Sequence, residues 1–94
     1  MRKVFIPSHP GILVKEIMDG LGLSINAFAR KLLVSPATIH RLVTGKSAIS
    51  PEMALRLSAT IGSSAQLWMQ RQAEYDLHLA RHTVDVSRLP HLRN

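Results

Sequence analysis

Helix start signals recur along this chain every 11 to 15 residues, with glycine stop signals among them, which predicts a series of helices joined by short turns. Serine accepts hydrogen bonds from the N–H groups of a helix's first turn, and proline suits the first helical position. Glycine ends helices because it readily adopts a left-handed backbone. The predicted starts are Pro10, Ser24, Ser35, Ser50 and Ser63 or Ser64, and the predicted ends are Gly22, Gly45 and Gly62.

Between these signals the apolar residues repeat with the helical period, and no strand alternation precedes residue 83. The sequence therefore predicts an all-α fold of five helices. The 94 residues are enough for one domain with one modest core. We expect a single domain over residues 1–94, with a helical core at about 9–82 and a tail at 83–94. For the tail, a disordered end is favoured over a short strand through Val84 and Val86 that pairs with a partner.

Composition and charge narrow the class of partner. The chain has no cysteine, which excludes disulfides and thiolate chemistry. No apolar run approaches the roughly 20 residues of a membrane span, and MRKVFIPSHPG is a poor secretory signal, so we expect a cytoplasmic protein. The formal net charge is +6, of which residues 1–50 hold +5, from seven basic and two acidic residues. A basic half favours a polyanionic partner, although many small proteins are basic.

The second and third predicted helices, 24–33 and 35–44, are joined so tightly that they must cross steeply, as in a helix-turn-helix. Such a unit needs a small residue where the helices approach each other, and Ala29 supplies it. It also needs apolar residues in the turn and on the inner faces. These are Phe28, Leu32, Val34, Ile39 and Leu42.

A helical wheel of residues 35–44 separates an inner side from an outer side. The outer side lacks the Glu–Lys pairs of an ordinary solvated face. It offers methyl groups, hydroxyls and a guanidinium, which suit base edges in the major groove of DNA. The alternative is a packed helical hairpin whose outer face has no function. Ile39, Leu42 and Val43 lie inside, Ala37, Arg41 and Thr44 lie outside, Thr38 and His40 lie on the flanks, and Lys46 lies just beyond the helix.

Residues 9–80 resemble the HigA (VapI-like) antitoxins, which are Cro/C1-type helix-turn-helix proteins. The most specific segments are HPG at 9–11, ISPEMALRLS at 49–58 and LWMQRQAEYDL at 67–77. The resemblance implies a five-helix, lambda-repressor-like DNA-binding domain that acts as a homodimer. It further implies that the protein represses its own operon and neutralises a partner toxin, usually a RelE-like ribonuclease that cleaves messenger RNA. No cofactor is expected.

In this family 35–44 corresponds to the recognition helix. Two positions depart from the family pattern. Leu33 stands where the turn usually has glycine, so it must accept a left-handed backbone at some cost or shift the turn. Ile25 stands where related repressors often carry a phosphate-binding glutamine. The resemblance implies base contacts at Ala37, Thr38 and Arg41, and phosphate contacts at Ser24, Asn26, Ser35, Thr44 and Lys46.

The last predicted helix carries an apolar stripe that is larger than the core of five short helices needs. Part of it must cover that core. With the end of helix 51–61, the rest is expected to form a twofold interface that holds two recognition helices roughly 34 Å apart, one turn of DNA. The predicted dimer residues are Leu67, Trp68, Tyr75 and Leu79.

No catalytic or metal site is predicted. The helix-capping serines leave no serine with a matching base. His78 and His82 are four apart on one helix but lack a clear third ligand. His9 is interpreted as a cap or turn residue, and the basic Arg2-Lys3 end could touch DNA or the toxin. Two alternatives to an antitoxin repressor remain: a solitary helix-turn-helix repressor, and a protein-interaction module that inhibits an enzyme without binding DNA.

Overall fold

A computed structural model describes residues 7–93 and contains five α-helices, as predicted. Residues 84–93, which follow the last helix, are exposed and form no strand, so the Val84–Val86 strand is not present in the described part of the chain. Arg2 and Lys3 lie outside the described residues. The helices are α1 (Pro10–Gly20), α2 (Ile25–Leu32), α3 (Pro36–Val43), α4 (Pro51–Ile61) and α5 (Ala65–Thr83).

Side-chain caps fix where each helix begins. In α2 to α5 the serine before the helix accepts a hydrogen bond from the backbone N–H three residues later, at 3.0 to 3.2 Å. Ser64, rather than Ser63, caps α5. His9 caps α1 with its ring, because its Nδ1 accepts from the N–H of Gly11, two residues later, at 2.9 Å. The interpretation of His9 as a cap is therefore confirmed.

The core lies where the five helices meet. Helix α2 packs on α3, α4 packs on α5, and α1 lies against α3 and α5. The amide of Gln72 also joins two elements inside the fold, since its Oε1 accepts from the buried N–H of Ile49 at 2.9 Å. The buried apolar residues are Val14, Met18, Phe28, Ala29, Leu32, Ile39, Leu42, Ile49, Met53, Ala54, Leu57 and Trp68.

The predicted dimer role of Trp68 is wrong in this structure. Only 1% of Trp68 is exposed, and its indole N–H donates to the Gly62 carbonyl at 3.2 Å. The other four helices are too short to enclose a core alone, so α5 covers it with its largest side chain. Tyr75 is half-buried beside the His9 ring, with ring centroids 5.1 Å apart. Leu67 and Leu79 remain exposed and keep their predicted role as a hypothesis.

Candidate nucleic-acid interface

The turn between α2 and α3 adopts the left-handed backbone that the sequence raised as one of two options. Leu33 has φ 59° and ψ 42°, a conformation that costs a non-glycine residue roughly 1–2 kcal/mol. The Val34 N–H donates to the Ala29 carbonyl at 3.0 Å, which closes the end of α2. Arg56 of α4 donates to the Leu32 carbonyl at 2.7 Å, so a side chain from outside the unit also supports the turn.

Helix α3 is held from its inner side and from one end. Ile39 and Leu42 are fully buried, as the helical wheel predicts. Helix α1 approaches so closely that a Cβ atom on Gly11 would stand 1.9 Å from the Leu42 carbonyl oxygen. This backbone-to-backbone contact requires glycine, and it fixes the angle at which α3 presents its other side.

The outer side of α3 is exposed and borders the first turn of α2. Ala37, Arg41 and Thr44 all face solvent. A shallow depression lies between the two helices and is lined by residues of both. A duplex laid along α3 would therefore meet α2 at the same time. The depression is lined by Ile25, Asn26, Pro36, Ala37, His40 and Arg41.

The positive charges of this region are not neutralised by ion pairs within residues 7–93. The two ion pairs found there join Lys15 to Asp19 and Arg56 to Glu52, both within single helices. Arg41 and Lys46 take part in neither. Lys46 is exposed just past α3, and its backbone N–H donates to the Arg41 carbonyl at 2.8 Å. The surface can therefore attract a polyanion at low cost.

Two predicted contact residues use their hydroxyls inside the protein. The Thr38 hydroxyl lies 2.9 Å from the Ser35 hydroxyl, and Thr38 is only half-exposed. One of the two hydroxyl protons forms the hydrogen bond between Ser35 and Thr38. The other proton is free to be donated to an acceptor outside the protein. Thr44 Oγ1 donates to the His40 carbonyl at 2.7 Å. A phosphate oxygen only accepts hydrogen bonds. The Thr44 hydroxyl must therefore break its bond to the His40 carbonyl before it can donate a hydrogen bond to a phosphate.

The remaining predicted phosphate contacts, Ser24 and Asn26, are both exposed at the start of α2. Ser24 Oγ already accepts from the Ala27 N–H at 3.1 Å, which leaves its hydroxyl proton for a phosphate. Two features of this surface were not predicted from the sequence. Arg56 bonds to a residue 24 positions away, which no local pattern signals. His40 was assigned to a flank but lies in the depression with Arg41.

Residues 14–68 match a protein-family model described as helix-turn-helix, and this segment contains α2 and α3. The chain belongs to the helix-turn-helix family. It is 48% identical over 84 residues to the uncharacterised HTH-type transcriptional regulator YddM of Escherichia coli, and the alignment covers 89% of each chain. The protein is therefore a helix-turn-helix transcriptional regulator.

Further similarities place antitoxins among the neighbours of this regulator. It is 42% identical over 73 residues to virulence-associated protein I of Dichelobacter nodosus, covering 77% of this chain and 68% of that one. It also matches the structure of Pseudomonas aeruginosa antitoxin HigA with the higBA promoter, at 41% identity and TM-score 0.77, over 82% of this chain and 85% of the other. The resemblance to HigA (VapI-like) antitoxins is confirmed.

The histidines and carboxylates of residues 7–93 are dispersed. No group of three or more histidines and carboxylates there has a metal-binding arrangement. His78 and His82 lie edge to face on α5, with ring centroids 4.8 Å apart. No helix in the described residues is both long and apolar enough to cross a membrane.

Proposed function

We propose that this regulator binds an operator in its own promoter through α3 and also neutralises a toxin protein, acting in the cytoplasm as the antitoxin of a toxin–antitoxin pair. One observation carries the DNA part. The inner side of α3 is buried, whereas Ala37 and Arg41 face solvent beside the first turn of α2. A helix mounted in this way can enter a major groove and place the Arg41 guanidinium against a guanine.

The proposed contacts fall into two classes. Base contacts come from Ala37 and Arg41, and from Thr38 through its methyl group or through the one hydroxyl proton that the Ser35–Thr38 pair leaves free. Phosphate contacts come from the starts of α2 and α3, where N–H groups and the positive end of the helix favour anions, and from Thr44 and Lys46 at the other end of α3. The phosphate-contacting residues are Ser24, Asn26, Ser35, Thr44 and Lys46.

Toxin neutralisation is supported by the antitoxin relatives and not by a contact within this chain. We infer a RelE-like ribonuclease as the toxin and a homodimer as the DNA-binding form. Residues 1–94 are proposed to form one domain, with 83–94 as its tail. A solitary repressor without a toxin is the second candidate, because the relative YddM is described only as a transcriptional regulator.

Arg41→Ala tests the DNA assignment. Because Arg41 is exposed and its side chain is outside the core, the variant should remain folded. It should bind the DNA upstream of its own gene more weakly by about 1–3 kcal/mol, measured by gel shift. Arg30→Ala, which removes an exposed charge from α2, is the matched control. Equal affinity of Arg41→Ala and the unsubstituted protein would show that α3 is not the recognition helix.

The antitoxin part has its own test. The proposal predicts that a small ribonuclease-like toxin is encoded next to this gene, and that co-expressing this protein with that toxin restores growth. Arg41→Ala should restore growth equally well, since it alters the DNA surface alone. If growth arrest persists although the folded protein is present, the antitoxin function is excluded and the solitary repressor is favoured.

A further inference from the structure

On the exposed side of α3, the residue that lies nearest to the proposed contacts and has no assigned role is His40. At about 100° per residue, it stands about 60° from Ala37 on the helical wheel, whereas Thr38 stands about 100° away and turns toward Leu42. His40 is exposed and lines the same depression as Asn26 and Arg41. Its ring therefore lies where a bound duplex must pass.

The side chain of His40 is available for an external ligand. Within residues 7–93 its imidazole makes no hydrogen bond or ring contact, in contrast to the capping ring of His9 and the paired rings of His78 and His82. The Thr44 hydroxyl bonds to the His40 backbone carbonyl and leaves the ring untouched. Thr38, which was assigned a base contact from sequence, shares its hydroxyl with Ser35 instead.

The groups around His40 determine what it can bind. The depression receives Ile25 and Asn26 from α2, which do not ionise, and Arg41 from α3, which is positive. No carboxylate lines it. Among residues 7–93, a protonated imidazole there has no carboxylate in the depression to pair with, so a stabilising anion must come from the ligand. In DNA that anion is a backbone phosphate.

We propose that His40 is a proton-linked phosphate contact: it takes up a proton when the operator binds and donates an N–H to a backbone phosphate beside the first turn of α2. The step is an acid–base equilibrium, in which a proton from solvent moves to the imidazole and is released on dissociation. Histidine suits this role because its proton equilibrium lies near neutral pH. The inference rests on the proposed DNA binding by α3 and assigns a regulation to that surface.

Two quantitative consequences follow. An exposed ion pair contributes up to about 1 kcal/mol, which is roughly a fivefold change in affinity. Operator affinity should therefore rise about three- to fivefold from pH 8 to pH 6. Each neutralised phosphate adds about 0.9 to the steepness of log affinity against log salt, so the slope should be steeper by about that amount at pH 6.

The test uses the full chain and a fluorescent duplex of the DNA upstream of its gene, with anisotropy measured at pH 6 and pH 8 over a range of salt. His40→Gln keeps a hydrogen-bonding side chain without the titration, and should lose the pH effect and the slope change. His40→Arg carries a permanent charge and should bind tightly at both pH values. His82→Gln, which removes an exposed histidine of α5, is the control and should behave like the unsubstituted protein.

Each outcome separates the claims. If His40→Gln keeps the full pH effect, the proton link is overturned, because another group carries it. If His40→Gln weakens binding to the original duplex but not to a duplex with altered base sequence, His40 contacts a base and the phosphate assignment is overturned. If the unsubstituted protein binds none of these duplexes at either pH, the proposed DNA function fails and the role of His40 fails with it.

Discussion

The contact between Gly11 and the Leu42 carbonyl predicts that Gly11→Ala destabilises the protein more than its position on a helix suggests. An alanine Cβ would stand 1.9 Å from that oxygen, whereas real Cβ contacts essentially never fall below 3.0 Å. Helices α1 and α3 must therefore separate by about 1.1 Å, the difference between these two distances. The obstacle is backbone on both sides, so no side-chain rotation can relieve it.

The magnitude follows from two opposing terms. Forcing extra volume into a packed interface costs typically 1–3 kcal/mol, and a backbone obstacle places this site at the upper end of that range. Replacing glycine by alanine within a helix gains at most about 1 kcal/mol. The free energy of unfolding should fall by about 2 kcal/mol, measured by urea denaturation and circular dichroism.

Gly20→Ala is the matched control, because Gly20 belongs to the same helix and nothing lies within 4 Å of its added Cβ. It should raise the free energy of unfolding by up to about 1 kcal/mol. Gly11→Ala should in addition weaken operator binding, since it displaces α3. If the two variants unfold at the same urea concentration, α1 does not approach α3 as closely as this contact requires.

Two further predictions concern the turn before α3 and the contact of α5 with the segment between α3 and α4. Leu33→Gly should raise the free energy of unfolding by about 1 kcal/mol, because Leu33 is 81% exposed and left-handed; an unchanged urea midpoint would contradict the strain at the turn. Gln72→Ala should lower the free energy of unfolding by about 1–3 kcal/mol, because it leaves the buried Ile49 N–H without its acceptor. The control Gln70→Ala, on the exposed side of α5, should change it by less than about 0.5 kcal/mol. Equal effects of the two variants in thermal melts would refute the role of Gln72.

The helix boundaries were predictable because each rests on a local interaction. A serine and the N–H three residues later are close in sequence, so Ser35 and Thr38 carry the start of α3 between them. The same holds for the inner side of α3, where the spacing of Ile39 and Leu42 follows from the helical period alone.

The rest depends on contacts between residues far apart in sequence. Trp68 on an apolar stripe suits either a core or a dimer, and only the packing of α5 on α4 decides that it is buried. Arg56 could have been a surface charge on α4, but its bond to Leu32 arises from the crossing of α4 over α2. The hydroxyls of Thr38 and Thr44 were assigned to DNA because a wheel gives directions and not hydrogen-bond partners.

The glycine contact beneath α3 also bears on how this protein could be redirected to other DNA sequences. The position of α3 depends on Gly11, Ile39 and Leu42. Substituting other residues for Ala37 and Arg41 therefore leaves the angle of α3 unchanged. A library of variants at these two outward positions should consist mostly of folded proteins that differ in which base pairs they prefer.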